Sequence, residues 1–440
     1  MKRYLNFTEQ LTYRGASFPI FSFKLKLTNH QLDKDNIYKA YQAVARKHPS
    51  LKVNIFQDEQ HRPFFKEVEN YMPNIAITQA ESDGYFIPKG LLEEKVEHGV
   101  DKGMVRIGIS TWKDEAILFL EFCHTIIEKR GYMLLVDELI KYYIQFTQEN
   151  YDPNDPENLP YDFPLSPLNP VEPSDEQKLK LAELMQRKME TRENYKHIFP
   201  QSGETSEKFI RQNIRGSVKK YSQLKAFASE HKISPYSLIF ASSIVSIALM
   251  ARDYNTNQGK DEISITSLIP VDKTHQLYPE FLNKIALNMD VTDFNCKLNY
   301  SSSLLETTDY LRKEWREEGK YYGCFFSNMI GYASLKGEMP PFDNYINIVP
   351  CEPKTEELRI NDSQKIEFGD TFNLDERKYK FESIDLNPRI QCFALKDRID
   401  YHYYFTENNE KLSRELMNYF KEITENFSKY ANQKISDIRI

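Results

Sequence analysis

The chain has 440 residues, of which 40% are hydrophobic and 28% are charged, and its formal net charge is −7. This composition excludes wholesale disorder, and the length allows two or three domains. The acidic balance argues against nucleic-acid binding, because neutralising phosphates requires a basic face. The five cysteines include no Cys-x-x-Cys pair, which argues against a disulfide framework or a zinc ribbon.

Targeting and membrane signals are weak along the chain. The first 15 residues lack the apolar core of a signal peptide, so we expect a cytoplasmic protein. The most apolar helical stretch, residues 236–250, is interrupted by four serines and is short for a bilayer. The sequence therefore predicts a buried helix there and no transmembrane segment.

The first 150 residues predict alternating strands and helices. Apolar residues recur with a period of two in residues 17–27 and at helical spacing in residues 37–45 and 131–146. Asp33 or Asp35 is a candidate cap for the first of these helices, and His48-Pro49 ends it. We predict, in chain order, a strand at 17–27, a helix at 37–45, a hairpin of 51–56 and 63–68, a hairpin of 104–111 and 116–123, and a helix at 131–146.

A proline-rich segment, residues 151–175, divides the chain. It contains seven prolines, which remove amide donors and fix φ, so it predicts an extended linker. After it we predict helices at 176–196, 221–231, 235–252, 304–317 and 408–430, and strands at 209–214, 262–269, 285–291, 345–349, 389–395 and 398–405. The fold class is therefore α/β, with one domain at 1–150, the linker at 151–175 and a similar domain at 176–440.

One segment, residues 117–139, carries a candidate active site. A predicted strand runs directly into His124, and an apolar loop through Ile126 and Ile127 then leads to Glu128 and a helix. A strand end holds a side chain rigidly. A carboxylate returning behind the imidazole would fix its tautomer and leave the other nitrogen free to take a proton.

This segment resembles the superfamily of nonribosomal-peptide condensation domains, alcohol acyltransferases and polyketide-associated acyltransferases of secondary metabolism. The superfamily shows His-His-x-x-x-Asp-Gly at a strand end, then a helix with a Leu-x-x-Glu-Leu-like stretch. Aligned on the helix, the second histidine matches His124. The first histidine falls on Cys123, the Asp on Glu128 and the Gly on Lys129.

Further stretches resemble the superfamily in the same order. They are Glu9 before a strand, Ala45-Arg46-Lys47-His48-Pro49-Ser50-Leu51-Lys52 at a helix end, a strand that ends in Pro270-Val271-Asp272, Phe281-Leu282-Asn283, and Ser327-Asn328-Met329-Ile330-Gly331. The resemblance implies two chloramphenicol-acetyltransferase-like α/β sandwich domains in a V-shaped pseudo-dimer, the second donating a segment to the first sheet.

The resemblance also implies acyl transfer in a tunnel with His124 at its middle. The donor would be an acyl thioester, on coenzyme A or on the phosphopantetheine arm of a carrier protein acting in trans. The acceptor would be a small alcohol or amine, and His124 would take its proton. In the superfamily the Asp of the motif pairs with a distant Arg, and the resemblance offers Lys273, near where that Arg would lie, as the partner of Glu128. It implies that Ser327 and Asn328 lie beside the tunnel. It implies no permanently bound cofactor and no metal.

Plainer interpretations stay open for these residues. A histidine at a strand end is most often structural, Glu128 could be a solvated carboxylate, and Cys123 is expected to serve packing rather than nucleophilic attack. His48 is expected to do no more than end a helix. The departures at Cys123, Glu128 and Lys129 favour a second hypothesis, a catalytically degenerate binding or docking module on the same scaffold.

Overall fold

The computed structural model describes residues 2–14, 20–80, 96–162, 174–193, 210–254, 261–272, 281–287, 289–319, 344–350, 357–373, 389–405 and 410–440. The middle of the predicted linker, residues 163–173, lies outside these ranges. So do three of the predicted site residues, namely Lys273, Ser327 and Asn328.

The described residues form both strands and helices. The strands are β1 (Lys2–Tyr4), β2 (Ile20–Thr28), β3 (Val53–Gln57), β4 (Pro63–Glu67), β5 (Ile75–Gln79), β6 (Val105–Trp112), β7 (Glu115–Phe122), β8 (Ile210–Arg215), β9 (Glu262–Asp272), β10 (Met289–Asn299), β11 (Asn344–Pro350), β12 (Glu357–Arg359), β13 (Lys365–Asn373), β14 (Arg389–Ala394) and β15 (Ile399–Phe405). The helices are α1 (Phe7–Arg14), α2 (Lys34–Lys47), α3 (Lys129–Thr147), α4 (Asp175–Glu193), α5 (Val218–Glu230), α6 (Pro235–Asp253), α7 (Leu304–Gly319), α8 (Glu410–Glu425) and the single turn α9 (Phe427–Tyr430).

Two compact units divide the chain, and neither is continuous in sequence. The first comprises Met1–Leu168, Thr274–Met289 and Pro353–Arg377, and the second comprises Asn169–Lys273, Asp290–Glu352 and Lys378–Ile440. Two segments that lie beyond the predicted boundary at residue 176 thus belong to the first unit. One of them, residues 281–287, becomes important for the candidate site.

The first unit is built on a six-stranded sheet in the order β12-β13-β2-β7-β6-β5, beside a small sheet in the order β1-β4-β3. Strand β13 pairs antiparallel with β2, with Ile366 opposite Leu27. This confirms the expectation that a segment from late in the chain joins the first sheet. Both predicted hairpins are present, as β3–β4 and β6–β7.

The core of the first unit explains why apolar residues alternate with polar ones in β2 and form a continuous run in β7. Phe23 and Leu25 of β2 and Leu118 and Leu120 of β7 are all buried in one apolar cluster, which also takes in side chains of α2 and α3. Helix α2 begins at Asp33, whose carboxylate accepts a hydrogen bond from the Asn36 amide at 2.7 Å, as predicted for a cap.

The second unit holds the other six-stranded sheet, in the order β10-β9-β11-β14-β15-β8. Helix α6 is the most apolar helix of this unit and packs in its core with α8. It has 19 residues, close to the predicted range of 235–252, and its length and composition would allow it to cross a membrane. However, 72% of its most apolar window is buried in the protein. Its burial supports the interpretation of a core helix.

Two local predictions differ from the structure. A strand is predicted at 285–291, but residues 281–287 form turns and β10 begins only at Met289. Ile285 is fully buried, but its amide and its carbonyl bond to side chains of His48 and Ser50 instead of a neighbouring strand. The described start of the linker is packed rather than extended, since Asn158 is buried and the Tyr161 amide donates to the Lys47 carbonyl.

Candidate active site

His124 lies in the turn that follows β7. The strand ends at Phe122, and residues 124–126 form a turn before α3 begins at Lys129. The partly buried imidazole bonds through Nδ1 to the carbonyl of Ile127, with 2.8 Å between nitrogen and oxygen. A carbonyl can only accept, so Nδ1 carries the proton and the basic lone pair is on Nε2. A backbone carbonyl therefore fixes the tautomer that the sequence analysis expected a carboxylate to fix.

The turn that carries His124 is braced on several sides. Ile126 and Ile127 are buried in the core, and the amide of Ile126 donates to the carbonyl of Cys123. The Cys123 amide donates to the carbonyl of Met104 at 3.0 Å, which ties the turn to the start of β6. The hydroxyl of Thr12 on α1 donates to the carbonyl of Glu9 and lies 3.3 Å from the hydroxyl of Thr125, from which it accepts. These contacts hold the backbone of the turn in place, and with it the position of the imidazole.

Cys123 is a buried thiol beside a second histidine. Its sulfur lies 3.5 Å from Nε2 of His98, whose ring in turn packs on Tyr13 with 4.9 Å between ring centres. Burial raises the pKa of the Cys123 thiol to about 11 and lowers the pKa of His98 to about 4. Near neutral pH the sulfur is therefore a thiol rather than a thiolate, which supports a packing role over nucleophilic attack.

Glu128 caps the helix that follows His124. Its carboxylate accepts from the amides of Arg130 at 2.6 Å and Gly131 at 2.9 Å, and lies 3.6 Å from the guanidinium of Arg130. A negative side chain at this position also complements the positive end of the helix dipole. Glu128 is 6% exposed, so it is not a solvated surface carboxylate.

Lys129 occupies the position where the superfamily motif has glycine. Its ammonium nitrogen lies 5.0 Å from the ring centre of Phe21 and 4.9 Å from that of Tyr132. The nitrogen is buried, with no hydrogen-bond partner among the residues that the structure describes. Two aromatic faces thus stabilise a charge that is otherwise costly to bury.

Three predicted site residues, Lys273, Ser327 and Asn328, lie outside the described part of the chain, so their roles stay predictions. Within the described ranges, no group of three or more His, Cys, Asp or Glu side chains could hold a metal ion. His402 lies on β15, packed against the ring of Phe393.

Comparisons with known proteins give a result for structure only. No protein-family model and no curated protein sequence matches the chain. Polyketide synthase associated protein 5 from Mycobacterium tuberculosis superposes with a TM-score of 0.65 at 14% identity, over 97% of this chain and 98% of that one. The first condensation domain of the calcium-dependent antibiotic synthetase gives 0.68 at 9% identity, over 100% and 99%. The chain has the two-domain, chloramphenicol-acetyltransferase-like fold of condensation domains.

A third match extends this likeness. The starter condensation domain of rhizomide synthetase superposes with a TM-score of 0.67 at 8% identity, over 99% of this chain and 96% of that one. Each match spans almost the whole of both chains, so the condensation-domain fold includes both units. At sequence identities of 8–14%, these matches show the fold alone. The reaction has to be inferred from the residues of the site.

Two sequence motifs described above, the helix end that contains His48 and the Leu-x-x-Glu-Leu-like stretch that contains Glu138, form one buried hydrogen-bond network. His48 is fully buried, and its Nε2 lies 2.6 Å from the carboxylate of Glu138 on α3. Lys47 donates to the other oxygen of Glu138 at 2.7 Å. The amide of Ile285 donates to Nδ1 of His48 at 3.1 Å. Because Nδ1 accepts, Nε2 carries the proton, and the imidazole is neutral.

Electrostatics agree with this assignment. Burial lowers the pKa of His48 and outweighs the opposing effect of Glu138. Burial also disfavours ionisation of Glu138, but the hydrogen bonds and charges of His48 and Lys47 hold the pKa of that carboxyl below its ordinary value. From the sequence alone, His48 was expected only to end a helix, and its buried bonds to Glu138 and Ile285 were not predicted. The available signal was the pairing of an internal histidine with a glutamate in the Leu-x-x-Glu-Leu-like stretch.

Proposed function

We propose that the chain transfers an acyl group from a thioester, on coenzyme A or on a carrier protein, to a hydroxyl or an amine. His124 acts as the general base: Nε2 accepts the proton of the attacking group while that group adds to the thioester carbonyl. Collapse of the tetrahedral intermediate expels the thiolate, which takes up the proton, so the products are an ester or amide and a free thiol.

The observation that carries the proposal is the hydrogen bond between His124 Nδ1 and the carbonyl of Ile127. It fixes the tautomer in which Nε2 is basic, on a turn that Thr12 and the buried Ile126 hold in place. The condensation-domain fold supports the reaction class, since several neighbours of this fold come from peptide or polyketide synthetases. Which donor and which acceptor are used is part of the proposal.

The second candidate function is a binding or docking module, and the observation that favours it is Lys129. A long side chain with a buried ammonium stands where the superfamily motif has glycine, close to the turn of His124. If this side chain excludes substrate, the scaffold would bind a partner without turning over a thioester.

Thiol release decides between the two candidates. The neighbouring starter condensation domain is described in complex with C8-CoA and Leu-SNAC, so octanoyl-coenzyme A and an aminoacyl thioester are the first pair to test. A panel of acyl-coenzyme A and acyl-carrier thioesters, each with alcohol and amine acceptors, extends the test. We expect acceptor-dependent release of free thiol. Release no faster than without protein across the panel would favour the binding module.

A further inference from the structure

We propose that His48 is a positioning residue: as a neutral imidazole it clasps residues 281–287 against the start of α3, and protonation of Nδ1 opens the clasp. The proposal rests on the proposed function in one respect only, that the turn and helix start held in this way carry the acyl-transfer base. It adds a pH-dependent control of that site.

The clasp consists of hydrogen bonds between the side chains of His48 and Ser50 and the backbone of one buried residue, Ile285. The amide of Ile285 donates to His48 Nδ1 at 3.1 Å, and its carbonyl accepts from the hydroxyl of Ser50 at 2.7 Å. His48 and Ile285 are both fully buried, and Ser50 is 2% exposed. Water therefore cannot replace the bond to Nδ1 without local opening, and each of these polar groups depends on its partner.

The clasped segment lies against the first turn of α3. Arg130 donates to the carbonyl of Leu282, and also to that of Phe281 at 3.3 Å. A Cβ added to Gly131 would lie 3.5 Å from the carbonyl oxygen of Ala286 and 3.3 Å from the side chain of Ile127. Gly131 thus separates the clasped segment from the residue whose carbonyl holds His124. Movement of residues 281–287 would therefore be transmitted to His124 through Gly131 and Ile127.

The charged and titratable groups around His48 act in both directions: Glu138 on α3 favours the protonated imidazole, whereas burial and the charge of Lys47 favour the neutral one, and burial has the largest effect. Lys47 on α2 lies on the other side of the Glu138 carboxylate, and its charge opposes a second positive charge on His48. The Tyr161 ring lies 5.2 Å from the imidazole, and the ammonium of Lys284 from the clasped segment lies 5.6 Å from that ring. Tyr142, near Glu138, stays protonated because burial raises its pKa.

Protonation has a defined structural consequence. A proton on Nδ1 would point at the amide hydrogen of Ile285, so the bond must break and the segment must move or unfold locally. Burial places the pKa of folded His48 below its ordinary value of 6.5, whereas the unfolded chain regains that value. The unfolded or opened state then binds more protons, so the clasp is at full strength above pH 6.5 and weakens as the pH falls below it.

Hydrogen exchange of the peptide covering residues 282–287 tests the clasp in the full chain. For the wild type, we expect protection, corrected for the intrinsic exchange rate, to fall about tenfold or more between pH 7.5 and pH 5. For His48→Gln, we expect exchange about tenfold faster than wild type at pH 7.5, with little further change at low pH. His231→Gln, an exposed histidine at the end of α5, is the matched control and should behave like wild type.

Two results would overturn the proposal. One is wild-type protection of this peptide that stays constant from pH 7.5 to pH 5, a measurement that needs no variant to fold. The other is a folded His48→Gln protein with wild-type protection and the wild-type pH profile. The thiol-release assay keeps the two proposals separate, because a wild type without turnover would refute the acyl-transfer function while the exchange profile still decides the clasp.

Discussion

Replacing Glu128 should cost the first unit a large part of its stability. The carboxylate accepts two charge-assisted hydrogen bonds, of 2.6 and 2.9 Å, at the start of a 19-residue helix, and it is 6% exposed. Loss of a helix cap costs about 0.5–2 kcal/mol, and hydrogen bonds to a charged group are worth about 1.5–3 kcal/mol. Glu128→Ala also removes the carboxylate that faces the guanidinium of Arg130. We therefore expect a loss of about 2–3 kcal/mol in the free energy of unfolding.

Thermal unfolding measures this effect. For a domain of 150–250 residues, 1 kcal/mol shifts Tm by about 2–4 °C, so Glu128→Ala should lower Tm by about 4–12 °C. Glu128→Asp should retain most of the stability, because Asp is a favoured cap. Glu128→Gln should fall between the two, because its amide oxygen still accepts but carries no charge. Glu59→Ala, an exposed glutamate in the β3–β4 turn, should change stability by less than about 0.5 kcal/mol. Unchanged Tm in Glu128→Ala would refute the capping role.

Three further predictions follow from buried groups of the first unit. Lys129→Met should raise the free energy of unfolding in urea by about 1–2 kcal/mol, because it removes a buried ammonium without a described hydrogen-bond acceptor. A loss of stability would mean that the contacts of the ammonium with the Phe21 and Tyr132 rings outweigh the cost of burying its charge. Glu138→Ala should lower the same quantity by about 3–5 kcal/mol, since Lys47 and His48 both lose the carboxylate they face; a loss under 1 kcal/mol would contradict the network. The Cys123 thiol, with its pKa raised to about 11, should resist a thiol reagent at pH 8 in the folded protein and react in urea. Peptide mass mapping measures the labelling of this thiol. Fast labelling in the native protein would contradict its burial.

Local patterns were enough to predict the strand, turn and helix that carry His124. In the β6–β7 hairpin, β6 alternates apolar and other residues, β7 contains a continuous apolar run, and His124 follows two residues after β7 ends, so its place depends on neighbours in sequence. The same holds for the Asp33 cap, which contacts an amide three residues away. Short-range hydrogen bonds and side-chain periodicity are the features that a single sequence records best.

Long-range contacts account for what the sequence did not predict. The pairing of β13 with β2 joins residues more than 300 positions apart, and β13 itself was not predicted. Residues 285–287 are apolar enough to resemble a strand, but their polar backbone atoms bond to His48 and Ser50 rather than to a ladder. Glu128 was expected behind the imidazole. The choice between that position and a helix cap depends on where the Ile127 carbonyl points, which no pattern specifies.

The most direct test of the central claim is acyl transfer by His124→Ala compared with wild type. Activity is measured as acceptor-dependent thiol release with whichever thioester the wild type uses, alongside thermal unfolding of both proteins. His231→Ala, an exposed histidine in the second unit, serves as the control. The account predicts an unchanged Tm and a rate lower by about 10²–10⁴-fold for His124→Ala alone. Full transfer activity in a well-folded His124→Ala protein would contradict it.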